Sequence, residues 1–186
     1  YQEVYTDPSY FGQVVINTTS HIGNYGTVEP EQESDAPKIN GLIINEFSEM
    51  FSRSDSELSL DDYLKNNGVV GIADLDTRKL VKHVRSAGAM NCIISSEINN
   101  KIDLQKELGK VPNMDHLELA TKVTTKDAYI LKNGEVDKKI AVLDIGVKRS
   151  ILSNLVDRGC ELKIFPAETP FEELKAYDPD GYFISN

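Results

Sequence analysis

Ile140-Ala141-Val142-Leu143-Asp144-Ile145-Gly146 is the stretch whose reading decides the fold. Its compact apolar run predicts a strand that ends at Asp144-Ile145-Gly146. A helix follows, with Ile151, Leu152, Leu155 and Val156 on one face and Gly159 as its stop. Glu161 to Phe165 predicts a second strand, and Phe171 to Tyr177 a second helix. Gly181-Tyr182-Phe183-Ile184-Ser185 predicts a third strand. Strands alternating with helices define an α/β class with a parallel sheet and right-handed crossovers. Three strands are few for a doubly wound domain, and a last strand with nothing after it leaves an unfinished edge. The sequence is therefore expected to be a piece of a longer chain, and the missing initial Met points the same way.

Working back from this run, 126–139 reads as a linker, with a turn at Lys132-Asn133-Gly134 and charges at Glu135, Asp137, Lys138 and Lys139. Further upstream, Thr6-Asp7-Pro8-Ser9 is a turn. Val14 to Thr18 and Leu42-Ile43-Ile44 are short strands, and His21 to Gly26 and the acidic stretch Glu29 to Asp35 are loop. Leu60, Tyr63 and Leu64 share one face of a short helix that Asn67-Gly68 ends. Val69 to Ala73 predicts a buried strand. Asp76 N-caps a helix that closes at Ala87-Gly88. Cys92-Ile93-Ile94 predicts another strand, and Ile102 to Leu108 a weaker helix.

The composition is that of an ordinary globular protein: 40% hydrophobic and 27% charged among 186 residues. A net charge of −10 with no basic cluster argues against nucleic acid, whose binding rests on neutralising phosphates, and against anionic membrane surfaces. No apolar run is long enough to span a bilayer, and no signal peptide is visible. Two cysteines make no disulfide framework, so a reducing cytoplasm is expected.

Sites in open parallel sheets form at the carboxyl ends of the strands, here Asp144-Ile145-Gly146, Pro166-Ala167 and Ser185-Asn186. Gly146 either admits a ligand close to the backbone or makes a tight turn, and the tight turn is preferred. No phosphate loop is present. His21, His83 and His116 lack metal-ligand spacing; His21, beside Gly23-Asn24-Tyr25-Gly26, reads as a loop-ordering hydrogen bonder. Neither Cys92 nor Cys160 has the glycines of a nucleophile elbow, so both read as small packing residues.

Several segments carry a resemblance. Tyr1-Gln2-Glu3-Val4-Tyr5-Thr6-Asp7-Pro8-Ser9-Tyr10 resembles the G-Y-Q-E-x-x-T-D-P-S-Y segment of carbamoyl-phosphate synthetase small subunits. His21 to Gly26 is similar to their H-I-G-N-x-G, and Gly71 to Leu80 to their G-I-x-x-x-D-T-R-x-L. Val156 to Cys160 and Pro179 to Asn186 complete the set in the family's order. The resemblance implies an N-terminal β/β/α swivelling-type domain, residues 1–137, lacking its first strands. The first half of a flavodoxin-like class I glutamine amidotransferase domain then follows, residues 138–186. It implies a glutamine-hydrolysing subunit that feeds ammonia to a large subunit, where ATP and magnesium act, for carbamoyl phosphate and hence arginine or pyrimidine synthesis. This subunit would itself carry no cofactor or metal. The family's catalytic Cys, His and Glu fall beyond Asn186, so no catalytic residue is expected here and the fragment alone is expected to be inactive. Ser9 is the one implied glutamine-binding residue, with a plain turn residue after Pro8 as the competing reading. The alternative function is a non-catalytic α/β interaction module.

Overall fold

A computed structural model describes residues 1–185, which form two compact units. The first comprises Tyr1–Thr6 and Gly12–Leu117; the second comprises Asp7–Phe11 and Glu118 onward.

The first unit opens on a short helix, α1 (Gln2–Thr6), where the sequence predicts only turns. Side chains from this helix serve as caps for distant backbone. The Gln2 Oε1 accepts the Val28 N–H at 2.9 Å, and the Thr6 Oγ1 accepts the Glu33 N–H at 2.8 Å. Tyr5 is fully buried, and Tyr1 stacks on both Tyr5 and Tyr25. Next come β1 (Val14–Ile16), β2 (His21–Ile22), β3 (Gly41–Ile43) and β4 (Glu46–Phe47). The helix α2 (Leu60–Asn66) is capped by Ser59, whose hydroxyl accepts the Asp62 N–H, and it buries Leu60, Tyr63 and Leu64 as the spacing predicts. After β5 (Val70–Ile72) comes α3 (Thr77–Ala87), capped by Asp76 and stopped at Gly88. The last helix, α4 (Lys101–Leu108), buries nothing.

β1, β3 and β5 form a parallel sheet with β3 in the middle, while β2 and β4 pair as a small parallel ribbon. Three expectations fail here. His21 and Ile22, expected in a loop, form β2 instead. β5 is exposed along its length, because it forms the sheet edge and apolar composition does not supply a covering layer. Cys92 to Ile94 enters no ladder. Ile94 instead packs its side chain near Gly41 of the central strand.

The second unit carries α5 (Ala120–Val123), β6 (Tyr129–Leu131), β7 (Lys138–Asp144), α6 (Arg149–Val156), β8 (Cys160–Pro166), α7 (Phe171–Ala176) and β9 (Gly181–Ile184). The sheet order is β6-β8-β7-β9. β7 is parallel to both β8 and β9, so the first strand of the strand–helix repeat lies between the second and third. The expected linker is corrected in part. It holds β6, which pairs antiparallel with β8 because Tyr129 to Leu131 satisfy that strand's otherwise open edge. Alternate residues of β7 face opposite layers. Val142 packs with Leu152, Leu162 and Ile164 on the α6 side, and Ala141 with Phe165 and Leu174 on the α7 side. Leu155 and Val156 join the α6 layer, whereas Ile151, predicted on the same stripe, is exposed.

Burial sets an alkaline limit on the first unit. It pushes the Tyr5 hydroxyl up to about 12, against an offsetting hydrogen bond donated by the Asn17 amide, and likewise pushes Tyr63 up to about 12. Unfolded tyrosine loses its proton near 10. The stabilisation is therefore complete below pH 10 and is lost as pH rises towards 12. Urea midpoints are expected to fall across that window, and Tyr5→Phe is expected to flatten the decline.

Candidate functional site: the strand tips of the second unit

Asp144 closes β7 and is almost wholly buried. Its Oδ1 accepts the N–H of Gly146 at 2.9 Å and of Val147 at 2.8 Å, which folds the chain sharply off the strand. Its Oδ2 accepts the Thr125 N–H at 2.7 Å. One carboxylate thus shapes its own loop and ties down a segment about twenty residues upstream.

Threonine and serine lock the neighbouring tips. The Thr124 hydroxyl donates to the Asp144 carbonyl at 2.5 Å and accepts the Ala167 N–H at 2.9 Å, bridging the ends of β7 and β8. The Ser185 hydroxyl accepts the Ile145 N–H at 2.8 Å, and its own N–H donates to the Leu143 carbonyl, joining β7 to the end of β9. Asn186, the other residue expected at that tip, lies outside the described residues.

Gly146 has φ +108°, and a Cβ there would stand 2.9 Å from Val123 Cγ2 and 3.2 Å from Pro8 Cβ. The tight-turn reading therefore holds, and the absent side chain also makes room for Pro8. Pro8 begins a single 3-10 turn, Pro8–Tyr10, whose cap is Asp7; the Asp7 Oδ1 accepts the Ser9 N–H at 2.8 Å. The Asp7 Oδ2 lies 3.7 Å from Lys148 Nζ, just past the Asp144 loop. Ser9 is exposed on this turn, which belongs with the second unit although it is distant in sequence.

The other singled-out residues lie elsewhere. His21, His83 and His116 all belong to the first unit and are exposed. His21 faces Glu46 at 3.3 Å, a surface pairing between β2 and β4. Among the described residues no His, Cys, Asp and Glu group could hold a metal ion. Both cysteines are free. Cys92 is exposed, yet partial desolvation by its neighbours still pushes its thiol up, away from nucleophilic use. Cys160 starts β8, at the end away from the tips, and packs against the core. Among the described residues the strand tips hold no thiol–imidazole pair. Sequence reasoning placed Ser185 at a strand tip but missed Thr124 and Thr125 as fasteners. Only Asp144, two residues before a Gly at a strand end, carries a local signature for its role.

Fold and site together define an α/β protein whose second unit is a mostly parallel sheet with its tips assembled around a turn borrowed from the chain's beginning. The family description "carbamoyl-phosphate synthase small chain, CPSase domain" matches residues 1–94. The whole chain is similar to the carbamoyl phosphate synthase small chain of Vibrio vulnificus strain YJ016, 43% identical over 205 residues and covering 53% of that protein. It is also similar to that of Chlorobaculum tepidum, 39% identical over 186 residues and covering 51%. The chain spans about half the length of these curated relatives. It belongs to the carbamoyl-phosphate synthase small chain family.

Asp144→Ala removes the acceptor of three backbone N–H groups. It is expected to destabilise the protein by about 2–4 kcal/mol, read from the denaturant midpoint.

Proposed function

We propose that the protein acts as the glutamine-hydrolysing small subunit of a carbamoyl-phosphate synthetase. It passes ammonia to a large subunit, where ATP and magnesium drive carbamoyl phosphate synthesis for arginine or pyrimidine production in the cytoplasm. In this reading residues up to about 137 form the domain that contacts the large subunit. Residues from 138 begin a flavodoxin-like class I amidotransferase domain, a reading supported by the central position of β7 between two parallel partners. The observation that carries the proposal is the grouping of the Asp7–Phe11 turn with the strand-tip unit of a family member. In this reading Ser9 stands at the end of the sheet where ligands of open parallel sheets bind.

Ser9 contributes binding to glutamine rather than chemistry. Among the described residues neither cysteine stands at the strand tips, and in this reading the nucleophile for amide hydrolysis is not one of them. A loss of binding without loss of synthesis is the mark of such a residue. In the full-length protein assembled with its large subunit, Ser9→Ala is expected to raise the KM for glutamine about tenfold. Synthesis from free ammonia is expected to stay unchanged. Residues 1–186 alone are expected to release no ammonia from glutamine. An unaltered glutamine KM removes Ser9 from the site, and ammonia release by 1–186 overturns the reading as a whole.

A further inference from the structure

The turn that carries Ser9 is too short to fix its own place. It is a single 3-10 turn, Pro8–Tyr10, in which the Tyr10 N–H donates to the Asp7 carbonyl and the Phe11 N–H to the Pro8 carbonyl. Turns of this kind have poorer hydrogen-bond geometry than an α-helix and do not persist alone. Ser9 is exposed on it, so no packing of its own side chain holds it. Its place is set by its neighbours.

Asp7 supplies the polar constraint, and its two carboxylate oxygens act on different parts of the chain. Oδ1 accepts the Ser9 N–H at 2.8 Å, which fixes the backbone that bears the serine. Oδ2 lies 3.7 Å from Lys148 Nζ. Lys148 immediately precedes α6 and stands two residues past Gly146, on the loop that Asp144 folds. A single carboxylate therefore spans from Ser9 to the loop after β7. Pro8 supplies the apolar constraint: it is buried, with its Cβ in the space that the absent Gly146 side chain leaves open.

Capping explains only half of this arrangement. An Asn, Ser or Thr at position 7 would serve the Ser9 N–H equally well. The second oxygen is what a carboxylate adds, and it is turned towards a lysine. The Asp7 side chain is 13% exposed, so its attraction to that lysine is screened less than in a surface ion pair.

We propose that Asp7 is the positioning residue for Ser9. Its carboxylate, anchored through Lys148, holds the serine in place over the strand tips for contact with glutamine. Asp7 itself touches no substrate, and its influence on glutamine passes through Ser9. The inference rests on the reading of Ser9 as a glutamine-binding residue and names the group that makes that residue effective.

The test is steady-state kinetics with glutamine, in the full-length protein assembled with its large subunit. The variants are Ser9→Ala, Asp7→Ala, Asp7→Asn and the double variant Ser9→Ala/Asp7→Ala. Asp7→Ala is expected to raise the KM for glutamine about fivefold and to keep kcat within about twofold. Asp7→Asn keeps the cap and loses the ion pair, and is expected to raise KM about two- to threefold. In the double variant the KM is expected to equal that of Ser9→Ala, since two groups that act as one unit are not additive. A merely structural role would lower kcat or add its effect to that of Ser9→Ala, and either result overturns the inference. If Ser9→Ala raises KM while Asp7→Ala does not, the positioning role fails and the reading of Ser9 stands. If Ser9→Ala leaves KM unchanged, both fail. A wild-type KM in Asp7→Asn overturns the role given to Lys148.

Discussion

The buried carboxylate of Asp144 is the point on which the second unit turns. A charge with so little solvent must be met by donors, and here three backbone N–H groups meet it. Those three donors fix the loop after β7 and anchor the Thr125 segment. Thr124, beside that anchor, then reaches the ends of both β7 and β8. The Asp144 loop in turn presents Gly146, whose missing Cβ leaves space for Pro8 and Val123. The position of the Asp7–Phe11 turn therefore follows from the need to satisfy one carboxylate and from one side chain's absence.

The same economy governs the first unit on a smaller scale. Gln2 and Thr6 lie on a five-residue helix too short to persist alone, yet they accept backbone N–H groups from 26 or more residues away. The helix is stabilised by those long-range contacts and by the burial of Tyr5 rather than by its own propensity.

Much of this was legible beforehand, and the failures are instructive. Hydrophobic runs and spacing located β7, β8, β9 and the helices between them, since a buried two-faced strand and an amphipathic helix each write a local pattern. The caps at Ser59 and Asp76 were legible for the same reason: capping is a contact with the next few residues. Val69 to Ala73 formed its strand but not its expected burial, Cys92 to Ile94 formed none, and Tyr129 to Leu131 formed one inside an expected linker. Each error concerns a strand's partner or its cover, and neither is encoded in the strand's own residues. Ser9 was singled out through resemblance alone; an exposed serine after proline has no local mark of a ligand.

The sequence by itself determined the α/β alternation of the second unit, the ends of α2 and α3 and the kinship with carbamoyl-phosphate synthase small chains. These rest on periodicity and on short ordered motifs that survive without coordinates. Only the tertiary structure decided that a turn from the chain's beginning packs with the last unit's strand tips and that Thr124 and Ser185 fasten those tips. Such facts are juxtapositions made by sheet order and by long-range hydrogen bonds, and no local pattern of residues contains them.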